Sequence, residues 1–354
     1  MNPIKVLVVD DSAFMRKLIV QFLEEDSNIE VVGIARNGMD AIDKAKQFKP
    51  NVITMDVEMP IMNGLEALER IMKECPTPVI MLSSTTTEGA LNTILAMEKG
   101  AIDFVAKPSG AISLDLNKIK LELIDKVKNA SHVNLPNMQK ILNRKKAGFL
   151  VKTSSEPVEN WNRLRRNKMI CIGSSTGGPK ALQEVLTLLP KSIEAPILIV
   201  QHMPAGFTKS LANRLNTMCE ITVKEAEDGD LLKNGVAYIA PGNFHLLLKE
   251  SFSGIKISLG HSPPVKGHRP SVDVMFESIS SIENYDKIAV ILTGMGADGS
   301  KGLKELKLNG NVKAIAESEN SCVVFGMPKS AIATNFVDEV VDLEQIANSI
   351  MKYM

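Results

Sequence analysis

Residues 169 to 179 read MICIGSSTGGP: an apolar run of strand character ends in a cluster of Gly and Ser, and Pro179 opens a helical stretch. Strand, glycine-rich turn, helix is the repeating unit of a parallel α/β sheet. In such sheets ligands and reactive groups collect beyond the carboxyl ends of the strands, and glycine lets a substrate approach the backbone closely. Three readings of this turn compete. Gly173 and Gly178 are spaced like the glycines of a phosphate-binding GxxxxGK loop. However, Pro179 stands where the lysine is required, Lys180 comes one position late, and no Ser or Thr follows to hold a metal. Gly173, Ser175 and Gly177 also fit Gly-x-Ser-x-Gly, a tight turn that lifts a serine hydroxyl clear of a sheet and needs a base and an orienting acid elsewhere. The third reading is a helix-capping turn without chemistry.

The alternation continues outward from this turn. Downstream, strands are predicted over 168–173, 196–201, 221–224, 287–292 and 312–316, and helices over 179–189, 207–217, 271–282, 300–308 and 343–352. The interval 229–270 breaks the pattern. Its short runs VAYIA, HLLLK and IKISL are separated by Gly-Asn and Pro-Pro turns, which predicts hairpins added at one sheet edge. Upstream, VLVVD (6–10), VVGIA (31–35), VITMD (52–56), PVIML (78–82) and DFVAK (103–107) alternate with helix-period segments. In the first helix Phe14, Leu18 and Phe22 recur at four-residue spacing, with Met15, Ile19 and Leu23 beside them, which predicts one apolar face against the sheet. The expected class is α/β: a flavodoxin-like domain with a five-stranded parallel sheet at 1–124, and a larger doubly wound domain with a β-hairpin extension at 168–354. Between them, 125–167 is rich in Asn, Ser and Lys, holds Pro136 and Pro157 and the basic clusters NRKK and RLRR, and reads as a connector in which Trp161 stands alone.

Composition narrows the function classes. The 354 residues carry 41 Lys plus Arg and 41 Asp plus Glu, so no charge surplus draws the chain to nucleic acid or an anionic membrane. Cys75, Cys171, Cys219 and Cys322 form no CxxC pair, and no run approaches the ~20 apolar residues of a membrane span. Free thiols in a cytoplasmic protein with no membrane insertion are expected.

In the first domain Asp10, Asp11 and Asp56 fall at the carboxyl ends of the first and third strands. Crowded carboxylates repel unless a cation binds, and an all-oxygen set with open positions suits Mg²⁺. Lys107, ending the fifth strand, reaches the same edge with a charge for a phosphoryl group, and Ser83, ending the fourth, offers a hydroxyl. Each residue also has a bland reading, as a cap, a strand-end carboxylate or a solvated lysine. Together VVDDS, the strand ending at Asp56 with MPIMNG behind it, MLSS and AKP resemble the receiver domain of two-component response regulators. The resemblance implies that Asp56 accepts a phosphoryl group, that Asp10, Asp11 and Asp56 hold Mg²⁺, and that Ser83 and Lys107 contact the phosphoryl group. It also implies a switch role for Phe104 and a cis bond between Lys107 and Pro108.

In the second domain His202 follows PILIVQ and Asp298 lies just beyond KIAVIL. Alone, such a His is usually structural and such an Asp caps a helix. At the same edge as Ser175 they meet the requirements of nucleophile, base and orienter, and triads are recognised by role rather than chain order. His245, His261 and His268 lack the i, i+4 pairing of a helical zinc site, which argues against a metalloenzyme. GHRPSVD (267–273) lines the cleft through His268 or Arg269, or is only a turn with a helix cap. GSSTGGP, QHMP, APGNFH, GHRPSVD and TGMGADG, behind a receiver domain, resemble the chemotaxis protein-glutamate methylesterase family. That resemblance implies hydrolysis of glutamyl methyl esters, and deamidation of glutamines, on the cytoplasmic helices of methyl-accepting chemoreceptors. A histidine kinase is the implied phosphodonor, and the unphosphorylated receiver is implied to obstruct the active site. The esterase chemistry is expected to need no cofactor. The triad falls on Ser175, His202 and Asp298, with oxyanion donors at the backbone of Thr176 and Met295. Ser174 departs from the alanine of many relatives and places two serines side by side. A DNA-binding regulator would need a small basic output domain, and a non-catalytic adaptor would have no use for all three triad positions.

Overall fold

The computed structural model describes residues 2–107, 116–133 and 166–354, which belong to two compact units. Trp161 and the Lys107–Pro108 bond lie outside the described residues. In the first unit β1 (Ile4–Val9), β2 (Ile29–Ala35), β3 (Val52–Asp56), β4 (Val79–Ser83) and β5 (Asp103–Ala106) form one sheet in the order β2-β1-β3-β4-β5, every pair parallel. The helices α1 (Ala13–Glu24), α2 (Gly38–Phe48), α3 (Gly64–Glu74), α4 (Thr87–Lys99) and α5 (Leu116–Ala130) cover it. Side-chain caps start four of them: Ser12, Asn37, Asn63 and Thr86 each accept a backbone N–H three residues on. The chain leaves β1 in one direction and β3 in the other, so a crevice opens beyond the carboxyl ends of those two strands.

Two expectations are corrected here. Phe14 is 63% exposed and lies off the face that α1 turns to the sheet; Ile19, Phe22 and Leu23 are buried with Arg16. Arg16 earns its buried place by donating to the carbonyls of Asp10 (2.7 Å) and Asp11 (2.9 Å), a polar exchange that apolar periodicity does not register. The last helix also runs past the boundary expected at 124, because Val127 and Ala130 extend the buried face of Leu123 and Ile124.

In the second unit the seven strands follow the order β14-β13-β12-β6-β7-β9-β8, again all parallel. They are β6 (Asn167–Ser174), β7 (Ile197–Gln201), β8 (Thr222–Glu225), β9 (Val236–Ile239), β12 (Tyr285–Ile291), β13 (Val312–Glu317) and β14 (Glu339–Val341). The helices are α6 (Gly178–Leu186), α7 (Phe207–Asn216), α8 (Val272–Ser280), α9 (Ser300–Leu308), α10 (Met327–Ile332) and α11 (Leu343–Lys352). The expected hairpin region divides in two. VAYI is β9, an interior strand between β7 and β8, while β10 (His245–Ser251) and β11 (Gly254–Gly260) form a separate antiparallel hairpin. That hairpin packs Leu246, Leu248 and Ile257 into one core with Met275, Phe276 and Ile279 of α8, and Leu248 N–H donates to Ser278 Oγ at 2.7 Å. A four-residue apolar run reads the same in an edge hairpin and in a buried parallel strand, so only pairing partners separate the two. The neighbours β6 and β12 lead the chain outward in opposite directions, and the crevice beyond their carboxyl ends is the topological switch point of this sheet.

Candidate functional site

At that switch point stand Ser175 after β6, His202 after β7 and Asp298 after β12. Asp298 is 1% exposed and fully partnered. Its Oδ2 accepts from His202 Nε2 (2.8 Å) and Val272 N–H (2.7 Å), and its Oδ1 from Ser271 Oγ (2.8 Å) and Asp273 N–H (3.1 Å). The carboxylate therefore sits on the N-terminus of α8, where unpaired N–H groups and the helix dipole favour an anion. Burial by itself raises the Asp298 carboxyl; the bond and charge of His202 and the Val272 and Asp273 N–H groups outweigh it and hold the acid well below the usual carboxylate range. An ionised carboxylate only accepts, so Nε2 of His202 carries a hydrogen in either charge state, and in the neutral ring Nδ1 holds the lone pair. Nδ1 is buried and has no hydrogen-bond partner among the described residues. His268 of GHRPSVD stacks on His202 with centroids 3.8 Å apart and planes 7° from parallel. Arg269 instead donates to the carbonyls of His261 and Ser262.

The two adjacent serines differ sharply. Ser174 is fully buried and its hydroxyl donates to Gln201 Oε1 at 2.7 Å, whereas Ser175 is half-buried beyond the strand end. Gln201, in the motif QHMP but assigned no role from sequence, also donates from Nε2 to the Ser175 carbonyl (2.9 Å), which accepts Gly178 N–H as well (2.7 Å). A trans peptide points its N–H opposite its C=O, so these bonds turn the Thr176 N–H away from Gln201 and Gly178. The same argument applies on the facing loop. The Gly294 carbonyl accepts from Gly326 (3.1 Å) and Met327 (2.8 Å), which turns the Met295 N–H the opposite way. Gly177, the N-cap of α6, completes the turn after β6 at φ +78°, a region other residues avoid.

The approach of the 294 loop to the Ser175 turn is close enough to require glycine. A Cβ on Gly294 would lie 2.5 Å from Met327 Sδ and 2.8 Å from Ser175 Cβ. Gly294→Ala is therefore expected to push the loop off the turn and lower kcat by ~10² or more, the scale of losing one oxyanion donor, with KM little changed. Turnover within about twofold of the parent would show that the loop does not take part.

In the first unit the carboxylate oxygens of Asp10, Asp11 and Asp56 lie within 4.8 Å of one another, the one such acidic group among the described residues. Lys107 Nζ bridges Asp10 Oδ2 (2.8 Å) and Asp56 Oδ2 (2.7 Å). Burial pushes the Asp56 carboxyl up to about 6; the Lys107 charge opposes this and Asp10 adds to it. Three carboxylates with hard oxygen donors and one exposed member, Asp11, fit a divalent cation that keeps some of its waters. Ser83 is not brought onto Asp56: its hydroxyl donates to the Gly89 carbonyl at 2.9 Å, in the first turn of α4. Phe104 is 3% exposed, with Lys126 Nζ 5.1 Å above its ring.

An acidic crevice in a five-stranded parallel domain, and a Ser, His, Asp constellation at the switch point of a second α/β domain, define a response regulator with a hydrolase-like output. Comparison with known proteins agrees with both halves. Residues 6–117 match the response regulator receiver domain and residues 170–350 the CheB methylesterase domain. The protein-glutamate methylesterase/protein-glutamine glutaminase of Halalkalibacterium halodurans is 58% identical over 99% of this chain and 98% of its own length. That of Geobacillus kaustophilus is 55% identical over 99% of both. The crystal structure of the Thermotoga maritima CheB methylesterase catalytic domain superposes with a TM-score of 0.51 at 47% identity, covering 53% of this chain and 99% of that one. The chain belongs to the CheB methylesterase family.

Proposed function

We propose that the chain is a phosphorylation-regulated serine hydrolase of bacterial chemotaxis, a protein-glutamate methylesterase and protein-glutamine glutaminase acting on chemoreceptor side chains. The observation that carries the reading is the 2.8 Å bond between His202 Nε2 and Asp298 Oδ2, which leaves the buried Nδ1 without a partner among the described residues. In the proposed reaction Nδ1 takes the Ser175 proton as Oγ attacks the ester carbonyl. The Thr176 and Met295 N–H groups hold the oxyanion, the carbonyl re-forms, and methanol leaves with the proton from Nδ1. Water, deprotonated in the same way, then releases Ser175 and a free glutamate. For a glutamine side chain the leaving group is ammonia.

Asp56 is the proposed phosphoacceptor, with a chemotaxis histidine kinase as donor. Asp10, Asp11 and Asp56 are the residues that would hold Mg²⁺, which when bound supplies positive charge to the phosphoryl oxygens. Lys107 pairs with the same group, and Ser83 and Phe104 report the added charge by leaving their present partners. The substrate helices place the reaction in the cytoplasm, and among the described residues no helix is long and apolar enough to cross a membrane. All four cysteines are free.

The regulatory half is tested by methanol release from methylated receptor membranes with Mg²⁺, with and without a small phosphodonor. The expected result is that Asp56→Asn keeps the basal rate and loses the stimulation entirely. Stimulation that survives in Asp56→Asn would remove that residue as the acceptor.

A further inference from the structure

Behind the 294 loop lies a buried acid that the proposed reaction does not use. Glu317 ends β13, is 0% exposed, and has no ion-pair partner among the described residues. Its Oε2 accepts the Thr293 N–H at 2.7 Å and its Oε1 the Ser321 hydroxyl at 3.0 Å, and Ser321 Oγ in turn accepts Leu343 N–H at 2.9 Å. Thr293 is the junction of the site. Its carbonyl accepts Ser175 N–H (3.1 Å), and its hydroxyl donates to the Thr176 carbonyl (3.1 Å) and accepts Val324 N–H (2.9 Å). Gly294, next in the chain, donates to the Val324 carbonyl (3.1 Å) and sets the direction of the Met295 peptide. One residue thus ties the nucleophile turn to the facing loop, and Glu317 holds that residue from behind.

We propose that Glu317 is the positioning residue of the oxyanion site: its carboxylate fixes Thr293, and through Thr293 the relative placement of the Thr176 and Met295 N–H groups. The proposal rests on the reading of Ser175 as nucleophile given above. A charged acceptor holds an N–H more firmly than a neutral one, which is what preorganised donors require. It also carries a cost, since a buried charge without a cation destabilises the fold. Burial pushes the Glu317 carboxyl up to about 7, the Thr293 N–H and Ser321 hydroxyl pulling it down and the nearby Asp342 adding to the push. Because the folded-state value is raised, the folded chain keeps this proton where the unfolded chain has released it. The stabilisation is fully present below the ordinary glutamate value of about 4.3 and is lost as pH rises through about 7. An acid kept there solely for structure would be better replaced by an amide.

The test uses the full-length protein with phosphodonor and Mg²⁺, methylated receptor membranes as substrate, and thermal melts of the same samples. Glu317→Gln keeps an oxygen for Thr293 but no charge. Relative to the parent its Tm is expected to be higher at about pH 8 than at about pH 5, while its kcat at about pH 8 falls ~3- to 10-fold with KM unchanged. Glu317→Ala is expected to lose ~10² in kcat, again without a matching change in KM. Stability and turnover moving in opposite directions in the Gln variant is the signature of positioning. Glu317→Gln turning over at or above the parental rate, or either variant losing activity only in proportion to its melted fraction, would overturn the proposal and leave the serine hydrolase reading intact. A parent that releases no methanol, or a Ser175→Ala variant as active as the parent, would overturn that reading and this proposal with it.

Discussion

Ser175→Ala is expected to abolish methanol release, by ~10⁴-fold or more, while Ser174→Ala stays within about tenfold of the parent. The contrast follows from what each hydroxyl touches. Ser174 is enclosed and spends its proton on Gln201, so its loss leaves one buried acceptor unpaired, a local cost to the turn. Ser175 stands past the end of β6, and its removal takes away the atom that bonds to the acyl carbon in the proposed reaction. Steady-state methanol release from the same receptor membranes, with circular dichroism to confirm folding, decides between them. If Ser174→Ala were the inactive variant and Ser175→Ala the active one, the nucleophile would be misassigned by one residue.

Asp298→Asn carries the second large effect, a fall in kcat of ~10³ to 10⁴ with KM within about threefold. A carboxamide keeps one acceptor oxygen and turns two N–H donors on a site already crowded with N–H from Val272 and Asp273. With its oxygen in the place of Oδ1 the amide keeps the Ser271 hydroxyl and the Asp273 N–H, and its hydrogens take the place of Oδ2, facing His202 Nε2 and leaving the Val272 N–H without its acceptor. The imidazole then carries its proton on Nδ1, the nitrogen that has to act as base. The fold is kept with one helix N–H unpaired, a cost of about 1–3 kcal/mol, so a cooperative melt at a modestly lower Tm should accompany the inactivity. Retention of more than about a tenth of parental kcat would show that Asp298 is only a helix-end anion.

The sites were legible in the sequence to different depths, for physical reasons. Asp10, Asp11, Ser175 and His202 fall just past strand ends, Asp56 ends β3, and Asp298 lies in the loop that follows β12; in a parallel sheet every strand delivers its carboxyl end to the same edge. Convergence then follows from local pattern without knowledge of strand order. The partners that hold these residues carry no such signal. Ser271, Gln201 and Thr293 had no individual role in the sequence reading; Ser271 caps α8 and also donates to Asp298, and Gln201 and Thr293 clamp the turn. Ser83 was expected to contact a phosphoryl group on Asp56; its hydroxyl here donates to the Gly89 carbonyl. The direction of a hydroxyl or an amide depends on which backbone groups arrive from distant segments, and spacing along the chain does not encode that.

What the sequence by itself determined was the class of each domain, the strand-end residues and the family, because apolar periodicity and glycine placement are local consequences of backbone sterics and burial. What only the tertiary structure decided was the order of strands, with β9 inside the main sheet and β10–β11 apart from it, the burial of Arg16 in place of Phe14, the tautomer of His202, and the linkage from Glu317 through Thr293 to the Ser175 turn. Each of these is set by hydrogen bonds and packing between segments far apart in the chain, and such pairings have no local pattern from which to be read.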